Sequence, residues 1–563
     1  MMTRLSIKPS ILLLAGPLLA GPLLAAGCAA RDVPAARFAN APPVHQVDDR
    51  RDVAALPAER EFIHALYHYD GTVQRRLTRA MELPRPQRAL GVNALDEVPD
   101  STWFTNRIGV RDLTLDELRT GPAAVGTPEL HRPWTVLSTK AEGTELNLIL
   151  TDARGIRFLL KFDTPGYPEQ VTATHVIAGK LLGACGLHVT DDYVVMFQPD
   201  DLVLAPDATS ADIFDTKHRF LRPELDALLR RTPHTPGGGL RAVASRWLAG
   251  KPLGGPPAEG VREDDPNDRI PHQLRRDLRG AYTFFAWLEH VDVQEGNFLD
   301  TWVEDHGRHY VQHHLIDFGK AFGVMNTTDH DPRQGREYWL DFAAMGRSLG
   351  TLGLERRPWE GVPASPLRGV GMFDVDSFDP DGWKPQSPAY LPFLAADRFD
   401  KFWAAKILIR FTRDQIRAVV ELGRLSDPRA ADYLTDTLVA RQRKTARTWF
   451  ERVNPLDRFA VVAAGAGASL CFDDLAVVYG LGATAGATEY RVTAYDAAAH
   501  PLGPSAVARP DPAGHACTAA LPPADYAILR IATARPGFDG QTFVHVARDP
   551  ATGAPRVIGI WRA

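Results

Sequence analysis

The run HVDVQEGNFLD at 290–300 places Asp292 and Asn297 directly after the apolar stretch AYTFFAWLE. Farther on, LIDFG sets a second carboxylate, Asp317, at the end of another apolar run. Asp317 and Asn297 are hard oxygen donors of the kind a magnesium ion takes. Asp292 could accept a proton from an attacking hydroxyl, or orient it. Lys161, in the inner half of IRFLLKF, could set an ammonium against phosphate oxygens, and Glu169, eight residues later, could orient that ammonium. These residue types suit phosphoryl transfer, which asks a protein for positioning and charge neutralisation rather than covalent help.

The elements that must carry these residues can be read from the pattern. From Trp134, alternation with breaks at Gly143 and at DARG predicts three strands joined by two hairpin turns. A helix follows, opening at Pro168 and Glu169 and stopping at Gly186. DDYVVMF predicts a fourth strand. An insertion with a helix over RPELDALLRR leads to LRAVASRWLAG, a fifth strand. Residues 258–455 read as mostly helical, with HQLRRDLRGAYTFFAWLEH as a long amphipathic helix ending at the 290–300 motif. After NPLDRF the composition shifts to short strands between Gly, Pro and Asp turns, so 456–563 reads as a small β-sandwich.

His290, Asp292 and Asn297 stand as H-x-D-x-x-x-x-N, and Asp317-Phe318-Gly319 follows twenty residues beyond Asn297. With the upstream strand lysine and helix, this order resembles the protein-kinase-like superfamily over roughly residues 126–455. It is nearer the atypical HipA-like, CotH-type and phosphatidylinositol-kinase branches than the eukaryotic protein kinases. The chain also resembles a family of bacterial lipoproteins with DDPND and LIDFG segments. The resemblance implies an α+β, two-lobed fold, with a strand-rich lobe at 126–257 and a helical lobe at 258–455. It implies ATP or another nucleotide with Mg²⁺ or Mn²⁺, Asn297 and Asp317 as metal ligands, and Asp292, Lys161 and Glu169 as catalytic residues. Lys161, Gly143, Ser138 and Thr139 would meet the nucleotide. Several features depart from the pattern: no G-x-G-x-x-G is present, Gln294 takes the usual place of a basic residue, and the Lys161–Glu169 spacing is short.

The N-terminus has a basic start, an apolar run broken by Gly-Pro pairs, and LLAAGC. This resembles a lipoprotein signal, and implies cleavage after residue 27, lipid on Cys28 and an outer-membrane location. Residues 28–57 read as a flexible tether and 58–125 as an N-terminal extension whose Trp103 and Phe104 have no role legible in the pattern. Cys185 sits in an apolar helical pattern and reads as a buried free thiol, while Cys471 and Cys517 are expected to pair in an oxidising compartment.

With 64 Lys and Arg against 69 Asp and Glu, and no basic face, nucleic-acid binding is excluded as a reading. His309, His313 and His314 read as a half-exposed strand, DVDSFDPDG lacks a calcium-loop register, and REDDPNDRIPH reads as a surface turn network. The expected partners are the membrane through the lipid, a nucleotide, and an envelope protein or small-molecule acceptor. Two rival readings keep the fold without the chemistry: a pseudokinase that binds a ligand, and an envelope scaffold that works through the β-sandwich.

Overall fold

Strand alternation gives the first half of the chain its shape. In the computed structural model, which describes residues 38, 48–78, 87–122, 125–140, 146–211, 216–325, 331–363, 367–465 and 467–563, seven strands form one sheet. They are β1 (Trp134–Lys140), β2 (Asn147–Thr151), β3 (Arg157–Phe162), β4 (Asp192–Phe197), β5 (Leu202–Ala211), β6 (Lys217–Arg219) and β7 (Leu240–Arg246), in the order β4-β7-β3-β2-β1-β5-β6. Phe158, Leu160 and Phe162 point into a core with Trp134, Leu148 and Leu150. Period-two alternation therefore turns Leu159 and Lys161 to the opposite face.

The sequence reading missed β5 and β6. Pro206 interrupts β5 and hides it, yet it falls inside an irregularity. The parallel register with β1 jumps from Val136 opposite Leu204 to Ser138 opposite Thr209. A bulge is where a sheet tolerates proline, because no ladder N–H is needed there.

Helix α1 (Gln170–Cys185) is buried on every side, which explains its weak amphipathic pattern. Cys185 is a free, buried thiol, as expected. Edge strand β8 (Lys251–Pro252) then joins β9 (Phe298–Asp305) and β10 (Arg308–Leu315) in a second sheet that frames the 290–300 motif. The helical lobe is built from α2 (Arg276–Leu288), α3 (Arg398–Leu408), α4 (Arg413–Val420) and α5 (Pro428–Phe450). Helix α2 ends just before the 290–300 motif, as expected, and all of its residues are buried, the polar face included. Its polar positions are spent on internal partners. Arg276 meets Asp96 at 2.5 Å and Asp400 at 3.3 Å, and Arg279 donates to the Gln273 carbonyl at 2.6 Å.

The C-terminal region is all antiparallel β. Strands β11 (Leu456–Ala464), β12 (Gly467–Asp474) and β15 (His515–Ala520) form one sheet. Strands β13 (Glu489–Tyr495), β14 (Ala506–Ala508), β16 (Tyr526–Arg535), β17 (Phe538–Arg548) and β18 (Pro555–Arg562) form the other. Leu456, Leu470 and Phe472 of the first sheet share a core with Tyr490, Ile531 and Val544 of the second, the expected sandwich. Cys471 faces Cys517 across β12 and β15, and the two are disulfide-bonded. Buried charge crosses the boundary expected at 456: Arg562 reaches Asp96 and Asp457, each at 3.1 Å.

Residues 48–57, the last part of the expected tether, are docked rather than loose. Thr102 donates both its N–H and its hydroxyl to Asp49, each at 2.8 Å. Val53 N–H donates to the His309 carbonyl at 2.6 Å, and Trp302 donates its indole N–H to the Val53 carbonyl at 3.0 Å. Arg60 N–H donates to the Leu253 carbonyl at 2.9 Å. An Ala-, Pro- and charge-rich composition looks disordered, but here the charged residues find fixed partners. Trp103 also finds its place, stacked on His313 at 3.6 Å between ring centres. The signal segment, Cys28 and Gly143 lie outside the described residues. Among those residues, no helix is long and apolar enough to cross a membrane.

Candidate active site

Lys161, on the cleft-facing side of β3, puts its Nζ 2.9 Å from Asp317 Oδ1. Asp317 follows β10 with φ 63°, a left-handed conformation that Asp tolerates better than most residues. Burial would raise its carboxyl pKa, but the Lys161 ammonium above all outweighs burial and holds it well below the usual range. The pair therefore favours the ionised carboxylate.

Asp292 meets Lys320, three residues past Asp317, at 2.9 Å. The motif is tied in place by short bonds. Asn297 donates from Nδ2 to the Asp292 carbonyl at 2.9 Å, Ile316 N–H donates to the Asn297 carbonyl at 2.9 Å, and Val291 N–H to the Lys320 carbonyl at 3.2 Å. These bonds bring Asp292, Asn297, Asp317 and Lys320 together despite the long gap in sequence. His290 has no part in proton chemistry here. Its ring is fully buried and stacks on Phe285 at 4.6 Å, and neither ring nitrogen has a hydrogen-bond partner. Burial pushes its pKa down to about 4.

A cavity of about 260 Å³ lies between the strand-rich lobe and the helical lobe. Leu159, Trp247, Leu248, Leu299 and Ile316 give it apolar walls, and Lys161 and Asp317 close one end. Such a slot suits a flat heterocycle, with charge at the inner end for phosphate. A partly accessible carboxylate, Asp317, faces the cavity and suits a divalent cation; Asp292 and Asn297 sit on the adjoining loop outside its lining, and Asn297 Oδ1 accepts from Gln294 Nε2 at 3.3 Å.

Not every expected residue takes its place. Glu169 caps α1 with φ 73°, and its carboxylate accepts from Ser426 N–H at 2.9 Å. Among the described residues no ion pair joins it to Lys161; the carboxylate that Lys161 meets is Asp317. The short spacing is the physical cause, because Glu169 sits at the very start of the helix rather than on the turn that faces β3. The helix residue that does face Asp317 is His175, with Nε2 3.8 Å from Oδ1. Thr139 spends its hydroxyl on the Asn147 carbonyl at 2.7 Å, and neither Thr139 nor Ser138 lines the cavity.

The sequence reading overlooked Lys320 and His175. Both left signals: a lysine immediately after DFG where Gln294 leaves a basic residue missing, and a lone histidine in the apolar helix ATHVIAGKLL. The expected turn network at 262–272 exists and is largely buried, with Arg262 pairing Asp300 at 3.1 Å and His272 pairing Asp268 at 2.7 Å. His313 is buried and bonds Asp300 at 2.6 Å, which corrects the half-exposed reading for that residue. The N-terminal extension also touches the motif: His68 Nε2 lies 3.1 Å from Gln294 Oε1, and Phe62 packs against Gly296.

The sequence matches no family profile and no curated protein. Among solved structures it is distantly similar to the Helicobacter pylori proinflammatory kinase CtkA. That match has 11% identity and a TM-score of 0.30, and covers 55% of this chain and 93% of that one. It is also similar to the Golgi casein kinase with Mn/ADP bound, at 11% identity and TM-score 0.28, over 60% of this chain and 73% of that one. A further Golgi casein kinase structure matches at 11% identity and TM-score 0.26, over 72% of this chain and 94% of that one. Similarity this remote assigns neither activity nor residues; those rest on the chain's own geometry.

Proposed function

We propose that the chain is a metal- and nucleotide-dependent phosphotransferase of the atypical kinase-like type, acting on an envelope protein or small molecule. The observation that carries this reading is the apolar cavity ending at the Lys161–Asp317 pair, with the Asp292–Lys320 pair beside it. Asp317 and Asn297 would hold the divalent cation, which neutralises phosphate charge when bound. Lys161 supplies a second positive charge to the phosphates. Asp292 takes the proton of the acceptor hydroxyl, and Lys320, 2.9 Å away, holds Asp292 oriented for it. Thr139 and Ser138 have no part in this reading. Calorimetric titration with ATP in the presence of Mg²⁺ or Mn²⁺ tests it. Wild type should bind, Asp317→Ala should lose the metal-dependent part of the affinity, and Lys161→Ala should weaken binding with either metal. Absence of nucleotide binding by wild type with both metals would defeat the reading.

We further propose that Cys28 carries lipid and holds the protein at the outer membrane, on the strength of the LLAAGC ending. In that case Cys28→Ser should leave the membrane fraction on detergent partitioning. Unchanged partitioning would remove the anchor.

A further inference from the structure

His175 is a buried polar group in the cleft that the proposed chemistry leaves unused. It is 2% exposed and sits mid-way along α1, and its ring lines the cavity. Nδ1 lies 3.0 Å from Asp192 Oδ2. Asp192, itself 2% exposed, also accepts from the Thr190 hydroxyl at 3.0 Å. Nε2 has no hydrogen-bond partner and lies 3.8 Å from Asp317 Oδ1.

The hydrogen bond at Nδ1 fixes the tautomer. With the Nδ1 proton donated to Asp192, Nε2 presents a lone pair. That lone pair faces Asp317 Oδ1 across 3.8 Å, and Oδ1 already accepts from Lys161 at 2.9 Å, so the unmet acceptor is His175 Nε2. A cation held by Asp317 within reach of Nε2 satisfies it. Metal–ligand bonds of about 2.0–2.2 Å to nitrogen and to oxygen span that gap with a bent arrangement. The Asp192–His175 pair is also the arrangement by which proteins orient a ligating imidazole: a carboxylate behind the ring, holding the far N–H.

From this we infer that His175 Nε2 is a direct ligand of the cation held by Asp317, so the site selects a transition-metal dication of the Mn²⁺ class over Mg²⁺. Imidazole suits such metals, whereas Mg²⁺ takes an all-oxygen shell. Asp192 is the positioning residue for this ligand. The inference rests on the cleft being a metal–nucleotide site.

Pulsed electron paramagnetic resonance on the full chain, stripped with chelator and loaded with Mn²⁺ in the absence of nucleotide, reads the ligand directly. Wild type should show hyperfine coupling to a coordinated nitrogen. His175→Gln should lose that coupling and bind Mn²⁺ at least about tenfold more weakly. Asp192→Asn keeps the imidazole, so it should keep the coupling while Mn²⁺ affinity falls by about 10–100-fold. Because Asp192→Asn retains the ring, it also stands in if His175→Gln does not fold. In competition, wild type should favour Mn²⁺ over Mg²⁺, and His175→Gln should narrow that preference. Oxygen-only coordination in wild type, or a nitrogen coupling that survives His175→Gln, overturns the inference. The two readings separate cleanly. Nitrogen-coordinated Mn²⁺ without nucleotide binding would defeat the phosphotransferase and leave the metal site. Nucleotide binding with Mg²⁺ and no nitrogen coupling would do the reverse.

Discussion

Two clusters of buried charge use the same residue types for different ends. At the junction with the C-terminal sheets, Arg276, Arg562 and Lys406 meet Asp96, Asp400 and Asp457, and the arginine donors are also spent on carbonyls. Arg562 donates to the Leu456 carbonyl at 2.6 Å and the Asn454 carbonyl at 3.2 Å, and Arg276 donates to the Asp96 carbonyl at 3.0 Å. Both guanidinium groups are almost fully out of solvent. At the cleft, Lys161 meets Asp317 and Lys320 meets Asp292, each at 2.9 Å, Asp317 keeps a third of its side chain accessible, and His175 Nε2 is unpartnered. The first cluster is saturated, although Lys406 and Asp457 border a cavity of about 620 Å³. The second faces its cavity with an acceptor still unmet. Burial alone does not mark a working charge; unmet valence next to empty space does.

The largest expected effect lies on the cleft side. Asp292→Ala should lower phosphotransfer by about 10²–10⁴-fold, the usual contribution of a positioned proton acceptor. Nucleotide affinity and urea midpoint should hold. A fall in the midpoint instead would put Asp292 in the structural class with Arg276. At the junction, Arg276→Ala takes one partner from each of Asp96 and Asp400, leaving Arg562 and Arg279 beside them, and should cost up to about 3–5 kcal/mol in urea unfolding. Nucleotide affinity of the folded variant should stay within about twofold. A smaller cost with altered affinity would dissolve the distinction between the clusters.

The third effect is smaller and depends on pH. His290, His188 and His314 are buried neutral, with pKa values pushed down to about 4, about 4 and about 3, in each case mainly by burial. Their unfolded counterparts titrate near 6.5. The unfolded state therefore takes up protons first as pH falls. The stability these rings contribute is present above about pH 6.5 and is lost progressively toward pH 4. His290→Leu should reduce that slope by up to about one proton, or about 1.4 kcal/mol per pH unit, in urea midpoints measured across the range. An unchanged slope would mean that His290 is charged in the folded protein and belongs with the working groups.

Much of the site was legible because it depends on local spacing. Lys161 on a strand, the Asp292–Asn297 interval and the strand-end Asp317 are short-range patterns, and the fold brings them to one cleft. The three strands from Trp134, the helix after them and the C-terminal sandwich were equally local. What escaped depends on contacts between distant segments. Strand β5 was masked by Pro206, which only the bulge against β1 makes tolerable. Glu169 was assigned from a motif order, but a helix presents different residues on successive turns, and its start does not face β3. Lys320 and His175 acquire meaning only once the bonds from Asn297 to Ile316 and from Lys320 to Val291 close the loop. The docking of residues 48–57 was hidden because composition reports an average, whereas Asp49 and Val53 each have one specific partner.

That docked segment has a mechanical consequence. Its contacts are arranged in series along the chain: Asp49 on Thr102, then Val53 on His309, and then Arg60, whose guanidinium meets Glu295 of the motif loop at 2.6 Å, followed by Phe62 against Gly296 and His68 against Gln294. A pull from the N-terminal side must peel them in that order, outermost first. Load is therefore shed at contacts remote from the reacting groups before it reaches the loop that carries Asp292. The segment acts as strain relief, so a protein tugged from its N-terminal end keeps its cleft in register until the fastenings at Asp49 and Val53 have failed.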